Sequence, residues 1–412
     1  MNILIIGGTI FARNRGVAAI TRGCIDCIRN NFQSPRITLL HTFVESYYPI
    51  KTTIVENIRV LLDVKKKSYI YLLMDMVIHI FITIVWRMFR SLCINMRSLL
   101  YDELLKEYEK ADVVINLSYG DMFAYKKDFY SKLLFVNLAY WCTLAILFKK
   151  TLVFYPQSIG PFNSKLSRFL ARFILSQCKI VAVREKISKD YLIKMKINAP
   201  LCLVPDLSFI LNPVSDQRVS EIILKEGIKI HRPLIGIALR DNLYPHLNEI
   251  SKVINYLILN MDASIIFIPH FSSLDTSYYY YDPRFIARKL LEKIDSKEQI
   301  TVIQGEYSVE ELRGLIGKCD LFIGAYMHAN ISALSMCVPT IAISYSHKTH
   351  GIMDSVGLSE SMLDVNELTA TNLINKIEKM YNNIHEYREY LKRRIPIIRE
   401  AVLKLGKLTP EL

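Results

Sequence analysis

Glycine and proline are scarce in this 412-residue chain, at 15 and 14 residues, and no stretch is of low complexity. With 51% of the residues apolar, that excludes a linker-rich or disordered chain. A disulfide framework is also missing, because the eight cysteines are scattered. Cys24 and Cys27 form a lone CxxC with no second pair or histidine cluster to complete a zinc site. We read them as buried thiols on a helix, in a reducing compartment. The start, MNILIIGG, has neither the charged n-region nor the long apolar h-region of a secretion signal and reads as a buried strand. Acidic residues are the minority, 39 against 52 Lys and Arg, for a net charge of +13. Such a surplus suits nucleic acid, an anionic membrane face, or a phosphorylated or carboxylated substrate. No RNP, KH or zinc-finger signature is present, so no nucleic-acid partner is expected.

What is there is alternation. A chain of this length exceeds one ordinary core, and two domains of about 200 residues are expected. Asn2–Ile6 is a short β-run that ends in Gly7-Gly8-Thr9, with a helix starting near Gly16. Further β-runs at Ile37–Thr42, Val113–Leu117, Leu152–Tyr155, Ile180–Val183 and Leu201–Val204 alternate with helical stretches such as Lys165–Gln177 and Lys186–Met195. After a polar stretch the pattern resumes with Leu234–Leu239, Ala263–Ile268, Ile300–Ile303, Leu321–Ile323 and Thr340–Ile343. Strands alternating with helices imply parallel sheets that bind ligands at the carboxyl ends of their strands. The expected architecture is α/β: two Rossmann-like, doubly wound domains facing each other across a cleft, GT-B-like. The expected boundaries are an N-terminal domain over 1–211 with an apolar helix at 69–92, a linker at 212–232, a C-terminal domain over 233–375, and a basic helical tail over 376–412 packed back on the body.

One segment does not suit a simple α/β domain. Tyr69–Trp86 is eighteen mostly apolar residues flanked by Lys65-Lys66-Lys67 and by Arg87 and Arg90, near the lower limit for a membrane span. Yet Asp75, His79, Thr83 and Arg87 recur every four residues, which makes one narrow polar stripe on a helix. Three readings stand: a helix in the membrane interface, its stripe toward water or protein and its basic ends at headgroups; a buried domain helix; or a span. A span would cut between strands of one sheet. The expectation is therefore peripheral contact with an anionic membrane through helix 69–92, in a cytoplasmic protein whose docking place would be the inner face of the cell membrane.

The chemistry-bearing segment is CDLFIGAYMHANISALSMCVPTIAISYSHKTHGIMDSVGL, from Cys319 to Leu358. A helix N-terminus following a parallel strand offers free N–H groups and a positive dipole end to phosphate or carboxylate. His328 falls in that first turn, where it is either a base or a histidine that merely hydrogen-bonds the turn. Lys348 follows the next strand end, where it either points into the site or stands as a solvated loop lysine.

Ordered motifs run nearly end to end: Gly7-Gly8 with Asn14-Arg15-Gly16; Ser118-Tyr119-Gly120-Asp121; Tyr155-Pro156-Gln157-Ser158-Ile159-Gly160-Pro161-Phe162; Val183-Arg184-Glu185; Pro205-Asp206; Gly236 to Arg240; Ile268-Pro269-His270; and Gly324 to Gly351. In these the chain resembles the polysaccharide pyruvyl transferase family, a similarity that runs from about residue 2 to residue 365. The resemblance implies a GT-B-like fold and transfer of the pyruvyl group of phosphoenolpyruvate onto a sugar or lipid-linked glycan, often as a cyclic ketal, for exopolysaccharide or cell-surface glycan synthesis. It makes His328 the catalytic acid/base and Arg240 a carboxylate or phosphate clamp, with Lys348 a second charge partner. It puts Asn14, Gly16, Gln157 and Ser158 on the opposite wall, and adds Arg184 and His270 to the substrate-binding set. No metal or cofactor is expected.

The sequence departs from the family at Tyr326, where R-x-H is usual. A tyrosine stacks and donates one hydrogen bond but cannot be a bidentate cation. Either Arg240, Lys348, His347 and Arg184 compensate, or the donor differs. Two competing readings follow: a GT-B glycosyltransferase using a nucleotide sugar, and a non-catalytic family member. A lesser departure is Ser118-Tyr119-Gly120-Asp121, where a second glycine is common.

Overall fold

The computed structural model describes residues 1–11, 13–41, 53–55, 58–62, 69–124, 129–272 and 282–407. The expected strand end at Thr42 and the basic run Lys65–Lys67 lie outside the described residues. The chain divides into two compact units, one of Met1–Ala12, Cys24–Asp206 and Leu403–Leu412, the other of Arg13–Gly23 and Leu207–Val402.

The first unit is built on β1 (Asn2–Ile6), β2 (Arg36–His41), β3 (Thr53–Val55), β4 (Ile58–Leu62), β5 (Val113–Asn116), β6 (Asp121–Ala124), β7 (Thr151–Phe162), β8 (Ile180–Val183) and β9 (Leu201–Leu203). Their order is β3-β4-β2-β1-β5-β7-β8-β9, with β6 beside β7, and every pair is parallel except β3 with β4. The winding reverses between β1 and β5, the doubly wound arrangement. Its helices are α1 (Arg15–Asn31, whose first turns belong to the second unit), α2 (Tyr69–Ser91), α3 (Glu103–Lys110), α4 (Phe129–Leu147), α5 (Lys165–Ser176) and α6 (Lys186–Lys194). Leu4, Ile6, Val114, Phe154 and Val181 turn one face of the sheet into a core shared with Leu105, Tyr108, Trp141 and Leu144. The buried Tyr108 hydroxyl donates to the Trp141 carbonyl at 2.9 Å, so the core's polar tip is satisfied. Cys24 and Cys27 are buried on α1, where burial pushes the Cys27 thiol up to about 12.

In the second unit β10 (Leu234–Ala238), β11 (Ser264–Phe267), β12 (Ile300–Val302), β13 (Leu321–Gly324), β14 (Thr340–Ser344) and β15 (Met362–Asp364) form an all-parallel sheet in the order β12-β11-β10-β13-β14-β15. The intervening helices are α7 (Asp216–Lys225), α8 (Leu247–Met261), α9 (Pro283–Leu291), α10 (Val309–Ile316), α11 (Met327–Ser335), α12 (His347–Val356), α13 (Ala370–Asn382) and α14 (Ile384–Lys407). Strand alternation feeds two cores. Ile235, Ile237, Ile265 and Ile323 pack with α8, α9 and α13, while Leu234, Ala238, Ile266 and Phe322 pack with α7, α10 and α11. Here too the winding reverses, between β10 and β13.

Two expected boundaries change. The stretch 212–232, read as a linker from its polarity, holds α7, whose Val219 and Ile222 are buried three residues apart while Arg218 pairs with Glu311 on α10 at 2.8 Å. The expected tail from 376 begins in the middle of α13. Its last helix is core, because Leu391, Ile395 and Ile398 pack with Phe209, Met327, Ile331 and Met353.

Candidate active site

The second sheet's switch point carries most of the candidates. Tyr326 caps the start of α11 directly after β13, and His328 is the second residue of that helix. The strand pair β10 and β13 runs in register from Ile235–Leu321 to Ala238–Gly324, so Arg240 and the Tyr326–His328 turn leave the same end of adjacent strands. His270 leaves β11 and Lys348 lies in the first turn of α12 after β14, both at that carboxyl edge. The N-terminus of α1 is fastened there as well. Asn14 bridges Phe271, Arg15 N–H donates to the His270 carbonyl at 3.1 Å, and the Asn14 carboxamide oxygen caps the Gly16 N–H at 3.0 Å. Gly16 then lies against His328 so closely that an added Cβ would stand 2.2 Å from Nδ1 of the ring. Asn14 and Gly16 therefore belong to the same unit as His328, which corrects the expectation of an opposite wall.

Electrostatics divide the groups by task. Burial, then the neighbouring His328, pulls the His270 imidazole down to about 3, so it is neutral at physiological pH. Its ring stacks on Tyr326 with centroids 6.3 Å apart, and burial pushes the Tyr326 phenol up. The Arg240 guanidinium lies 4.2 Å from the Tyr345 ring centroid and 5.7 Å from that of Tyr326, bonded to the Tyr345 hydroxyl and, at 3.1 Å, to Asp241. A third of the Arg240 side chain stays exposed, which leaves a planar cation presented from an aromatic bracket. Glu306 bridges Arg15 at 2.6 Å and Arg284 at 2.7 Å. Burial lowers the Arg15 guanidinium from its ordinary value, with Glu306 opposing. Among the described residues no group of three or more His, Cys, Asp or Glu is placed to hold a metal ion.

The first-unit candidates do a different job. Arg184 is fully buried and gives Nη1 to Asp206 at 2.8 Å, Nη2 to Asp121 at 3.0 Å and Nε to the Ser158 hydroxyl at 3.0 Å. Burial works against its charge, but Asp121, Asp206 and Glu185 outweigh it and hold the guanidinium firmly ionised. With each of its three nitrogens bonded and the side chain buried, Arg184 forms an internal ion cluster rather than a substrate clamp, and Ser158 is one of its partners. Gln157 is wholly buried and donates Nε2 to the carbonyls of Asn116 and Tyr155 at 3.1 and 3.2 Å. The Gly7 turn and the Ser118-Tyr119 turn meet at the first switch point. Gly7 adopts φ +67°, and a Cβ there would stand 2.6 Å from the Ser118 nitrogen. Tyr119 itself is left-handed, at φ 53°.

Comparison with known proteins decides the family. The profile of the polysaccharide pyruvyl transferase family matches residues 25–347. The chain belongs to that family. Among curated relatives of this family member, the amylovoran biosynthesis protein AmsJ of Erwinia amylovora is 25% identical over 96% of this chain and 95% of its own. Solved structures share the GT-B-like fold of two parallel-sheet α/β domains. The UDP-GlcNAc 2-epimerase of Neisseria meningitidis superposes with a TM-score of 0.61 at 12% identity, covering 100% of both chains. HepE of Anabaena, solved with UDP, gives 0.58 at 10% identity, covering 100% of this chain and 99% of its own.

Sequence reasoning missed one group in this family member and the partner of another. Asn242, on the turn after Arg240, buries both atoms of its carboxamide with no hydrogen-bond partner among the described residues. Nothing in the local pattern distinguishes it. Arg15, by contrast, sits inside the Asn14-Arg15-Gly16 motif and was open to notice, whereas its pairing with Glu306 across 291 positions was not.

Proposed function

We propose that this chain transfers the pyruvyl group of phosphoenolpyruvate to hydroxyls of a sugar or lipid-linked glycan, as a cyclic ketal, in exopolysaccharide or cell-surface glycan biosynthesis. The carrying observation is His328, seated in the first turn of α11 against Gly16 at the edge that also bears Arg240 and Lys348. Family membership and the likeness to an amylovoran biosynthesis protein support the pathway class.

In this reading Arg240, lying over the rings of Tyr345 and Tyr326, grips the donor's carboxylate, and Lys348 with the α11 N-terminus receives its phosphate. His328 gives a proton to the methylene carbon, turning it into a methyl group, as the first sugar hydroxyl bonds to the adjacent carbon. The proton from that hydroxyl returns to His328. A second hydroxyl then bonds to the same carbon while its bond to the phosphate oxygen breaks, and the last proton leaves with phosphate. Neutral His270 orients the site through its stack with Tyr326, and the Asn242 carboxamide binds donor or acceptor. We place the reaction in the cytoplasm, where phosphoenolpyruvate is made.

Tyr326 favours a second reading, glycosyl transfer from a nucleotide sugar, because it replaces the cation usual before the histidine. Phosphate release from phosphoenolpyruvate in the presence of an acceptor glycan separates the two. Wild type is expected to release phosphate, and His328→Ala to fall by about 10²-fold or more, the usual weight of a positioned acid/base. Unchanged release in His328→Ala sinks the assignment. Thermal stabilisation by nucleotide sugars but not by phosphoenolpyruvate favours the second reading.

A further inference from the structure

The polarity of α2 is inside out. Its polar stripe faces the body of the first unit: His79 Nδ1 lies 2.6 Å from the Tyr140 hydroxyl of α4, Thr83 is fully buried, and the Arg87 guanidinium reaches the Leu147 carbonyl at 3.5 Å. Met76 and Trp86 are buried on the same side, with Trp86 5.1 Å from Phe148 between ring centroids. The other side carries Val77 at 67% exposure, Phe81 at 65% and Met88 at 62%, with Leu73 and Ile84 alongside. A soluble surface helix shows the opposite arrangement. On α5, which packs like α2 against α4, Leu166, Phe169 and Phe173 are exposed between Lys165, Arg168 and Arg172.

We infer that this helical face of the first unit docks in the headgroup–acyl boundary of an anionic bilayer, with α2 lying in the plane of the membrane. Charge selects lipid over a second copy of the chain. Apart from the inward stripe, the elements α2, α4 and α5 carry Arg90, Lys132, Lys165, Arg168 and Arg172, all exposed, and no acid, so the face would repel its own image and attract anionic headgroups. A crossing is ruled out by topology. The strands on either side of α2, β4 and β5, belong to one sheet, and a single span would put them on opposite sides of the bilayer. The inference does not rest on the donor, since α2 lies outside the candidate active site.

Vesicle co-sedimentation of the full chain tests it, with phosphatidylcholine vesicles containing or lacking phosphatidylglycerol. Wild type is expected on the anionic vesicles, and retained in part at about 0.5 M salt, where charge alone is screened. The double variant Val77→Asp/Phe81→Asp is expected to lose on the order of tenfold in partitioning with its circular dichroism unchanged. Leu224→Asp, at a position more exposed still but on α7, is expected to bind as wild type does. Three results overturn the inference: no binding to anionic vesicles, equal binding by the double variant, or a solution dimer that the double variant breaks without any vesicle binding.

Discussion

Gly16 and His328 meet with no room for a methyl group, and that contact places the imidazole. Alanine at 16 would drive its Cβ into Nδ1, so the ring must turn or α1 must shift. Gly16→Ala is expected to cost about 1–3 kcal/mol, as overpacked sites do, and to lower phosphate release about tenfold or more. Denaturant titration and turnover check the two effects separately, and wild-type turnover in the variant would show that the contact does not position the ring. His270 makes a prediction in pH. Its folded value of about 3 lies below the ordinary 6.5, so between those limits the unfolded chain binds the extra proton. Its contribution to stability is intact above pH 6.5 and is lost as pH falls toward 3, by on the order of a few kcal/mol. His270→Gln is expected to flatten that part of the stability–pH curve. A slope unchanged between wild type and variant in urea melts would mean the ring is not held neutral.

Elements succeed or fail by what their buried faces touch. From sequence, α14 reads as a basic tail, since its charges dominate its composition. In the fold, Leu391, Ile395 and Ile398 close over Phe209, Met327 and Met353, next to the helix that bears His328. Ending the chain after Asn383 strips that cluster of one side. The lost burial, at about 1.5–3 kcal/mol per large side chain, approaches the whole stability of a domain. The truncated chain is expected to be insoluble, and recovery of a soluble monomer by gel filtration would contradict this. The Arg184 cluster shows the same dependence on surroundings. The family resemblance puts Arg184, in Val183-Arg184-Glu185, in the substrate-binding set. Only the approach of Asp121 and Asp206 converts it into an internal ion cluster.

At the scale of the whole molecule, the net charge of +13 and the exposed apolar face of α2 are the observations behind the proposed bilayer contact, and the two doubly wound sheets each present a carboxyl edge of the kind that binds ligands. The alternation of apolar runs and helices was legible without coordinates, because strand and helix periods are local properties of the chain. So was the family, carried by ordered motifs. Three matters had to wait for the tertiary structure: that Asn14 and Gly16 stand with His328, that Arg184 is spent on carboxylates, and that the polar stripe of α2 turns inward. Each depends on side chains brought together from distant positions, as Arg15 and Glu306 are across 291 residues. Periodicity states which face of an element is apolar, and packing alone decides what that face meets.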